Sequence, residues 1–201
     1  MENKILNIIK KYNGIITPMQ LEQNGISRTY LSKMLKNGSI DKIDRGIYVT
    51  KDFKYDEFYL FQLKYPKTVF SYNSALYLYG MTERTPIKID VSISKNYNPY
   101  RFKNIANVHR ISEEIYKLGI EEKVTPQDMI VKTYNLERTV CDIIKDKDSL
   151  DIETRNKAIK NCIKNKKFDA NKMFDYAKKM KIYDKVKDYM EAIIWLKMQK
   201  V

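Results

Sequence analysis

The chain has 201 residues, of which 43% are apolar and 31% are charged, and its net charge is +13 with a pI near 9.5. This composition excludes a disordered chain, and the length allows one large domain or two small ones with buried cores. The basic excess favours a polyanionic partner such as nucleic acid, although a lysine-rich composition can also reflect an AT-rich genome.

Cysteine and histidine content argues against a metal site. Cys141 and Cys162 are isolated in helical patterns, and the chain contains one His. We therefore expect two free, buried thiols, no metal and no cofactor. The N-terminal segment carries a charge in nearly every turn, and no run of about 20 apolar residues occurs. We expect a cytoplasmic protein with no signal peptide and no membrane association.

Two short helices are predicted at the start of the chain. The first has apolar residues at helical spacing and stops at Asn13-Gly14. The second begins in "TPMQ", with Thr17 as N-cap, Pro18 in the first turn and Gln20 at the capping-box position. It ends at Asn24-Gly25, so a tight turn containing Gly precedes the next helix, as in a helix-turn-helix.

The third helix is predicted from a cap at Ser27 to Asn37-Gly38, and it has two different sides. The inward side is apolar and consists of Tyr30, Leu31, Met34 and Leu35. The outward side mixes cations with short hydroxyl side chains and contains no acid, which suits contacts with base edges and phosphates. With the capping serine, the candidate DNA-binding residues of this helix are Ser27, Arg28, Thr29, Ser32, Lys33 and Lys36.

A hairpin with a cationic tip follows the third helix. "SIDKI" and "GIYVT" are β-prone runs joined around Asp44-Arg45-Gly46, and the imperfect alternation predicts a bulge. A hairpin in this position is a wing, and Lys42 and Arg45 would lie against phosphate or in a narrow minor groove. The alternative is that Arg45 pairs with Asp41 or Asp44.

Beyond Thr50 strands and helices alternate. We predict α+β architecture, with a winged helix-turn-helix over residues 1–50 and a second domain over 51–201 that is helical from about 136 and ends in a helical bundle. The strongest strand pattern is 87–94, where apolar residues alternate strictly. The other predicted elements are helices at 53–65, 71–80, 136–145 (after a cap at Asn135), 151–165, 169–181 and 183–198, and strands at 105–111, 120–124 and 130–134.

The C-terminal helices are predicted to be rich in lysine. Lys157, Lys160, Lys164 and Lys167 follow one helical stripe, which is a solvated face or a set of phosphate contacts to DNA or RNA. The last helix carries a broad apolar stripe that indicates a core helix rather than a docking helix. Its members are Val186, Tyr189, Met190, Ile193, Ile194 and Trp195.

Three blocks of sequence resemble the AbiEi family of abortive-infection antitoxins. They are the N-terminal segment closing in "DRGIYV", the block "YPKTVFSYNSALYLYGMTERTPIKIDVSI", and "NLERTVCDII". The middle block is the most specific of the three, because its order of aromatic-Pro, Ser-Ala-Leu helix, Gly, Thr-Pro and strand is unusual. The resemblance extends over nearly the whole chain.

The resemblance implies the antitoxin of a type IV toxin–antitoxin pair, which is not an enzyme. Its N-terminal winged helix would bind inverted repeats in its own promoter and repress the operon. Its C-terminal domain would counteract a nucleotidyltransferase-like toxin without forming a stable complex. It also favours a monomer in solution with two copies on each operator. The residues to which it assigns operator contacts are Arg28, Thr29, Ser32, Lys33 and Arg45; it assigns none to antitoxicity.

Two other functions are compatible with the sequence. A winged-helix regulator with no antitoxin role has the same N-terminal pattern. A metal-dependent nuclease could use Asp90 on a strand with Glu121 and Lys123 on a later strand, because acid…ExK spacing is used to hold Mg²⁺ and stabilise the attacking water. Glu137 and Arg138 of "LERT" are interpreted as structural, with Asp142 one turn further on as an ion-pair partner.

Overall fold

The structure is a computed structural model, and it describes residues 1–146 and 150–198, with the side chains of the last helix described to residue 193. The chain forms two units, Met1–Asp56 and Glu57–Val201. Helices and two separate β-sheets make it a mixed α+β protein, as predicted. Within the described residues no helix is long and apolar enough to cross a membrane.

The first unit combines three helices with a small antiparallel sheet of order β1-β3-β2. Its elements are α1 (Glu2–Lys11), β1 (Ile15–Ile16), α2 (Pro18–Gln23), α3 (Thr29–Lys36), β2 (Asp41–Asp44) and β3 (Ile47–Val49). Strand β1 was not predicted, because two residues are too few to show alternation. The three helices enclose an apolar core that includes Ile5, Ile9, Leu21, Leu31 and Met34.

Local signals set the ends of the first two helices. The hydroxyl of Thr17 accepts from the backbone N–H of Gln20 at 3.2 Å, and the Gln20 side chain accepts from the N–H of Thr17 at 2.9 Å. This reciprocal pair is the predicted capping box, with Pro18 at the first helical position. Helix α1 ends before Asn13 and Gly14, which both have positive φ.

The second unit is built on a five-stranded sheet of order β6-β5-β4-β8-β7. Strands β5 and β6 are parallel, as are β4 and β8, and the other two pairs are antiparallel. The elements are α4 (Glu57–Lys64), β4 (Val69–Phe70), α5 (Tyr72–Leu78), β5 (Ile89–Ser94), β6 (Ala106–Ile111), α6 (Glu113–Lys117), β7 (Ile120–Val124), β8 (Ile130–Tyr134), α7 (Leu136–Lys145), α8 (Ile152–Lys164), α9 (Ala170–Lys179) and α10 (Tyr183–Met198).

Two of the predicted elements begin later than expected. Helix α4 starts at Glu57 and not at 53; Phe53 instead closes a turn, and its N–H donates to the carbonyl of Thr50 at 3.1 Å. Strand β5 starts at Ile89, where it first pairs with Ala106. Apolar and polar residues alternate along β5, yet the strand lies inside the sheet and is buried on both faces.

Helix α7 carries a buried ion pair. The Arg138 side chain is fully buried, and its Nε donates to Asp142 Oδ1 at 3.0 Å, as predicted from "LERT". Arg138 Nη1 also donates to the carbonyls of Ile115 and Leu118 at 2.6 and 2.8 Å. The guanidinium lies 4.1 Å from the centre of the Tyr134 ring. One charged group therefore joins α7 to β8 and to the middle and C-terminal end of α6.

Helices α7 to α10 contribute to one apolar core, which includes both cysteines as free, buried thiols. Burial raises the pKa of each thiol to about 12, so both remain protonated. The predicted lysine stripe is wrong at Lys167, because α8 ends at Lys164. In α10, Val186 and Ile193 are buried as predicted, whereas the side chains of Ile194 and Trp195 lie outside the described residues.

Candidate nucleic-acid interface

Helix α3 presents one side to solvent and buries the other. Leu31 and Met34 are buried in the core of the first unit, and Tyr30 and Leu35 are partly covered. This attachment fixes the rotation of the helix about its axis. All six residues proposed from its outward side, and the two from the hairpin, are exposed: Ser27, Arg28, Thr29, Ser32, Lys33, Lys36, Lys42 and Arg45.

The start of α3 differs from the prediction. The helix begins at Thr29 with Arg28 in the N-cap position, and Arg28 makes no side-chain cap. Ser27 lies one residue earlier, where its hydroxyl is 3.0 Å from the Thr29 hydroxyl and receives the Thr29 N–H at 3.4 Å. The chain therefore turns one residue later than the serine signal suggested, because Ser27 organises a turn that leads into the helix.

The end of α3 is held by the first helix. Both carboxylate oxygens of Glu2 accept from Asn37 Nδ2 at 3.1 Å, and one of them also accepts from the Ser39 hydroxyl. The Asn37 side chain in turn accepts from the Ser39 N–H at 3.1 Å. Glu2 thus ties α1 to the junction between α3 and the hairpin. No sequence signal indicated this contact, since its partners are 35 and 37 residues apart.

The hairpin contains the predicted bulge. The pairing of β2 with β3 shifts register between Lys42 and Asp44, and Gly46 adopts φ of +73° at the turn. The backbone N–H of Arg45 donates to Asp44 Oδ1 at 2.6 Å, which stiffens the tip while the Arg45 side chain stays exposed. Arg45 is therefore exposed at the turn of the hairpin, and Lys42 is exposed on strand β2.

The exposed side of α3 is cationic, and an acid of α2 approaches its first cation. Arg28 Nε lies 3.9 Å from Glu22 Oε1 of α2, and both side chains are mostly exposed. An exposed pair of this length contributes about 0–1 kcal/mol, so a phosphate or a guanine can displace Glu22. Lys33 Nζ lies 5.3 Å from the centre of the Tyr30 ring, which supports its aliphatic chain.

Two further lysines lie close to the end of α3. Lys10 of α1 and Lys51 after β3 line a cleft of about 420 Å³ together with Gly38 and Ser39. The sequence analysis did not select these lysines, because they are 41 residues apart and share no helical face. Only the folded unit brings them together.

The structure separates the three residues of the nuclease alternative. Asp90 is on β5 and Glu121 and Lys123 are on β7, with β4 and β8 between them, which is about 14 Å at ~4.8 Å per strand. Asp90 Oδ1 lies 3.2 Å from His109 Nε2, while Glu121 receives the Tyr79 hydroxyl. Within the described ranges no group of three or more His, Cys, Asp and Glu side chains could hold a metal ion.

The first unit therefore combines three helices with a small sheet and exposes the cationic side of α3. Residues 3–51 match the family model described as "Transcriptional regulator, AbiEi antitoxin". The predicted resemblance to the AbiEi family is confirmed for this segment. No curated protein matches the sequence.

One solved structure with an overall likeness is the crystal structure of the RV2827C protein from Mycobacterium tuberculosis. The two sequences are 11% identical, and the superposition has a TM-score of 0.49. The alignment covers 90% of this chain and 75% of that one.

Proposed function

We propose that the first unit is a winged helix that binds operator DNA. Helix α3 would enter the major groove as the recognition helix, and the β2–β3 hairpin would be the wing. The observation that carries this proposal is the exposed, acid-free outer side of α3 within the segment that matches the regulator family. The buried contacts of Leu31 and Met34 support it, because they hold that side in a fixed orientation.

The proposed contacts are of two kinds: some recognise base edges, and the others bind the DNA backbone and position the protein on it. Arg28, at the N-terminal end of α3, reaches a guanine edge, and Thr29 and Ser32 contact base edges or phosphates. Lys33 and Lys36 bind phosphates. These contacts are supported by exposure and residue chemistry. Lys42 and Arg45 of the wing, with the hydroxyl of Ser27, bind the backbone or a narrow minor groove.

We further propose that the protein represses its own operon and acts as an antitoxin. Two copies would bind inverted repeats in the promoter, because each winged helix has one recognition helix and each repeat needs one. The functional partner would be a nucleotidyltransferase-like toxin that does not form a stable complex with it. The family match to residues 3–51 and the sequence resemblance in the second unit support this assignment. The antitoxic activity is assigned to the second unit, without enzymatic chemistry.

Operator binding is tested by electrophoretic mobility shift with a duplex of the protein's own promoter. The triple variant Ser32→Ala, Lys33→Ala, Lys36→Ala should abolish a shift that the wild type gives. The matched control replaces two exposed lysines of the second unit, Lys166→Ala and Lys179→Ala, and should retain it. If the triple variant shifts the promoter as the wild type does, α3 is not the recognition helix.

Antitoxicity is tested by co-expression with the proposed nucleotidyltransferase-like toxin. The intact chain that carries the α3 triple variant should still restore growth, because repression and antitoxicity are assigned to different units. Co-purification of a stable complex would contradict the type IV assignment. Mg²⁺-dependent cleavage of DNA or RNA that is lost in Lys123→Ala would instead favour the nuclease alternative.

A further inference from the structure

The connection between β5 and β6 is an unusual part of the second unit. These strands are parallel, and residues 95–105 link Ser94 to Ala106 without a helix. A parallel crossover normally takes a dozen or more residues and is usually helical. Irregular connections held on a rigid sheet are frequent carriers of binding function.

The crossover is fixed by one buried aromatic residue. Phe102 is 1% exposed, and its ring centre lies 4.6 Å from that of Tyr65 and 5.7 Å from that of Phe61. The Tyr65 hydroxyl donates to the carbonyl of Arg101 at 3.3 Å. The backbone N–H groups of Phe102 and Lys103 both donate to the carbonyl of Pro99 at 2.9 Å. This segment is therefore anchored to α4 and has a defined turn.

The anchored turn presents an aromatic ring between cations. Tyr100 is 73% exposed, and its N–H is held by Asn98 Oδ1 at 3.0 Å. Lys103 Nζ lies 5.2 Å from the centre of the Tyr100 ring, and Arg101 is exposed beside it. Burying Phe102 thus points its two basic neighbours and Tyr100 toward solvent. A large exposed ring has no role in the core of this unit.

The surroundings of this turn are basic. Residues 91–112 contain four basic residues and no Asp or Glu. Arg110 Nη2 donates to the carbonyl of Lys95, which brings β6 and the start of the crossover together. We define the crossover patch as six exposed residues: Lys67, Lys95, Tyr100, Arg101, Lys103 and Arg110.

Acids do not neutralise the crossover patch. None of its six members belongs to an ion pair among the described residues. Glu113 lies at its margin, where Lys117 Nζ approaches it at 3.4 Å. A hydrogen bond from Ser94, followed by Lys117, lowers the pKa of Glu113, with Lys67 adding to the effect. Lys67 also lies 5.6 Å from the centre of the Tyr97 ring. The patch therefore keeps a net positive charge beside its aromatic rings.

We propose that the crossover patch binds single-stranded nucleic acid. One base stacks on the Tyr100 ring, and Arg101 and Lys103 bind the phosphates on either side. Exposed aromatic rings within a basic groove are the arrangement that tracks unpaired bases, since every base offers a flat face. A duplex has no unpaired base to offer this ring. The crossover patch lies on the second unit and not on α3. Its ligand would therefore be different from the operator DNA that α3 binds.

The stacking contact is tested with the full chain and a fluorescein-labelled 12-nucleotide polyuridine RNA. Tyr100→Ala should weaken binding about 5- to 150-fold, because a stacked base is lost. Tyr100→Phe should retain it. The matched control is Tyr55→Ala, which removes an equally exposed tyrosine (70%) from the first unit and should change affinity less than about twofold. Tyr100→Ala should leave promoter binding unchanged.

The phosphate contacts are tested by salt dependence. The double variant Arg101→Ala, Lys103→Ala should lower the slope of log affinity against log salt by roughly 1.4, because each phosphate contact on a single strand contributes about 0.7. The control is the double variant Lys166→Ala, Lys179→Ala, which loses the same charge and should leave the slope unchanged.

Four results would overturn the proposal. The wild type could fail to bind the RNA, or Tyr100→Ala could bind it as well as Tyr55→Ala does. A 12-base-pair duplex could compete as well as the RNA, which would make the patch a duplex contact. Polyglutamate of matched charge could compete equally, which would indicate an acidic protein partner. Unlabelled promoter duplex should not displace the RNA, and this separates the patch from the α3 surface.

Discussion

The buried Arg138 side chain gives the sharpest stability prediction. Replacing it by Met keeps much of its volume and its aliphatic contact with the Tyr134 ring, but removes the charge. Asp142 would lose the 3.0 Å hydrogen bond from Nε, and the carbonyls of Ile115 and Leu118 would lose donors at 2.6 and 2.8 Å. Asp142 is 3% exposed, so water cannot replace its partner.

The expected loss in free energy of unfolding is that of removing one partner of a buried ion pair. Such changes destabilise proteins by about 3–5 kcal/mol, because the remaining charge is buried without compensation. Asp142 Oδ2 and Arg138 Nη2 have no hydrogen-bond partner among the described residues even in the native pair. The pair is therefore incompletely satisfied, and the double variant Arg138→Met, Asp142→Leu should recover most of the stability that Arg138→Met loses.

The pH dependence follows from the pKa of Asp142. Burial raises that pKa above its ordinary value, and Arg138 opposes the effect. Without Arg138 the pKa rises further, so the folded variant binds a proton that the unfolded chain lacks. Stability of the variant is then lost as pH rises through this folded-state pKa and is regained below it. The deficit relative to the wild type should shrink between pH 7 and pH 5.

Urea denaturation followed by far-UV circular dichroism at pH 7 and pH 5 measures both effects. The matched control is Lys178→Met, which removes an exposed cation 3.7 Å from Asp175 and should cost less than about 1 kcal/mol. The reasoning is refuted if Arg138→Met costs as little as this control, or if its deficit grows on acidification.

Two further stability predictions use the same assay. Thr17→Ala removes the hydroxyl of the capping box and should cost about 1 kcal/mol, whereas Thr85→Ala, at an exposed loop position, should cost nothing measurable. Gln62→Leu should cost about 1–3 kcal/mol, because the Gln62 amide bonds the N–H and carbonyl of Lys132 at 2.6 and 3.0 Å and the carbonyl of Thr68 at 3.0 Å. An unchanged urea midpoint in either variant would show that solvent replaces these bonds.

The sequence was most informative where a signal is local. The capping box at Thr17, the bulge before Asp44 and the cap at Asn135 depend on residues a few positions apart, and all three are present in the structure. The outward side of α3 was also predictable, because helical spacing alone separates buried from exposed positions.

The sequence was least informative where neighbours in space decide the outcome. Strand β5 alternates apolar and polar residues, yet Asp90 and Ser92 are buried, because Asp90 meets His109 on β6 and the strand is interior. Strand β4 has two residues, which is too short for a periodic signal. Local alternation does not reveal a strand's place in a sheet.

The crossover patch was missed for a different reason. Residues 51–150 contain 16 basic and 14 acidic residues, so their net charge is close to zero. That average conceals the acid-free stretch 91–112, whose cations the fold gathers around Tyr100. Charge counted over a long window does not report how charges are distributed on a surface.

The central claim, that α3 reads operator DNA, is tested most directly by fluorescence anisotropy. The protein is titrated onto its own promoter duplex and onto a scrambled duplex of equal length, across a range of salt concentrations. We predict that Arg28→Ala weakens the free energy of binding to the promoter by about 1–3 kcal/mol. The same variant should reduce the ratio of promoter affinity to scrambled-duplex affinity. Lys36→Ala should weaken both duplexes alike and lower the salt slope by about 1. If both variants keep the wild-type affinity, preference and slope, α3 does not read DNA and the account is contradicted.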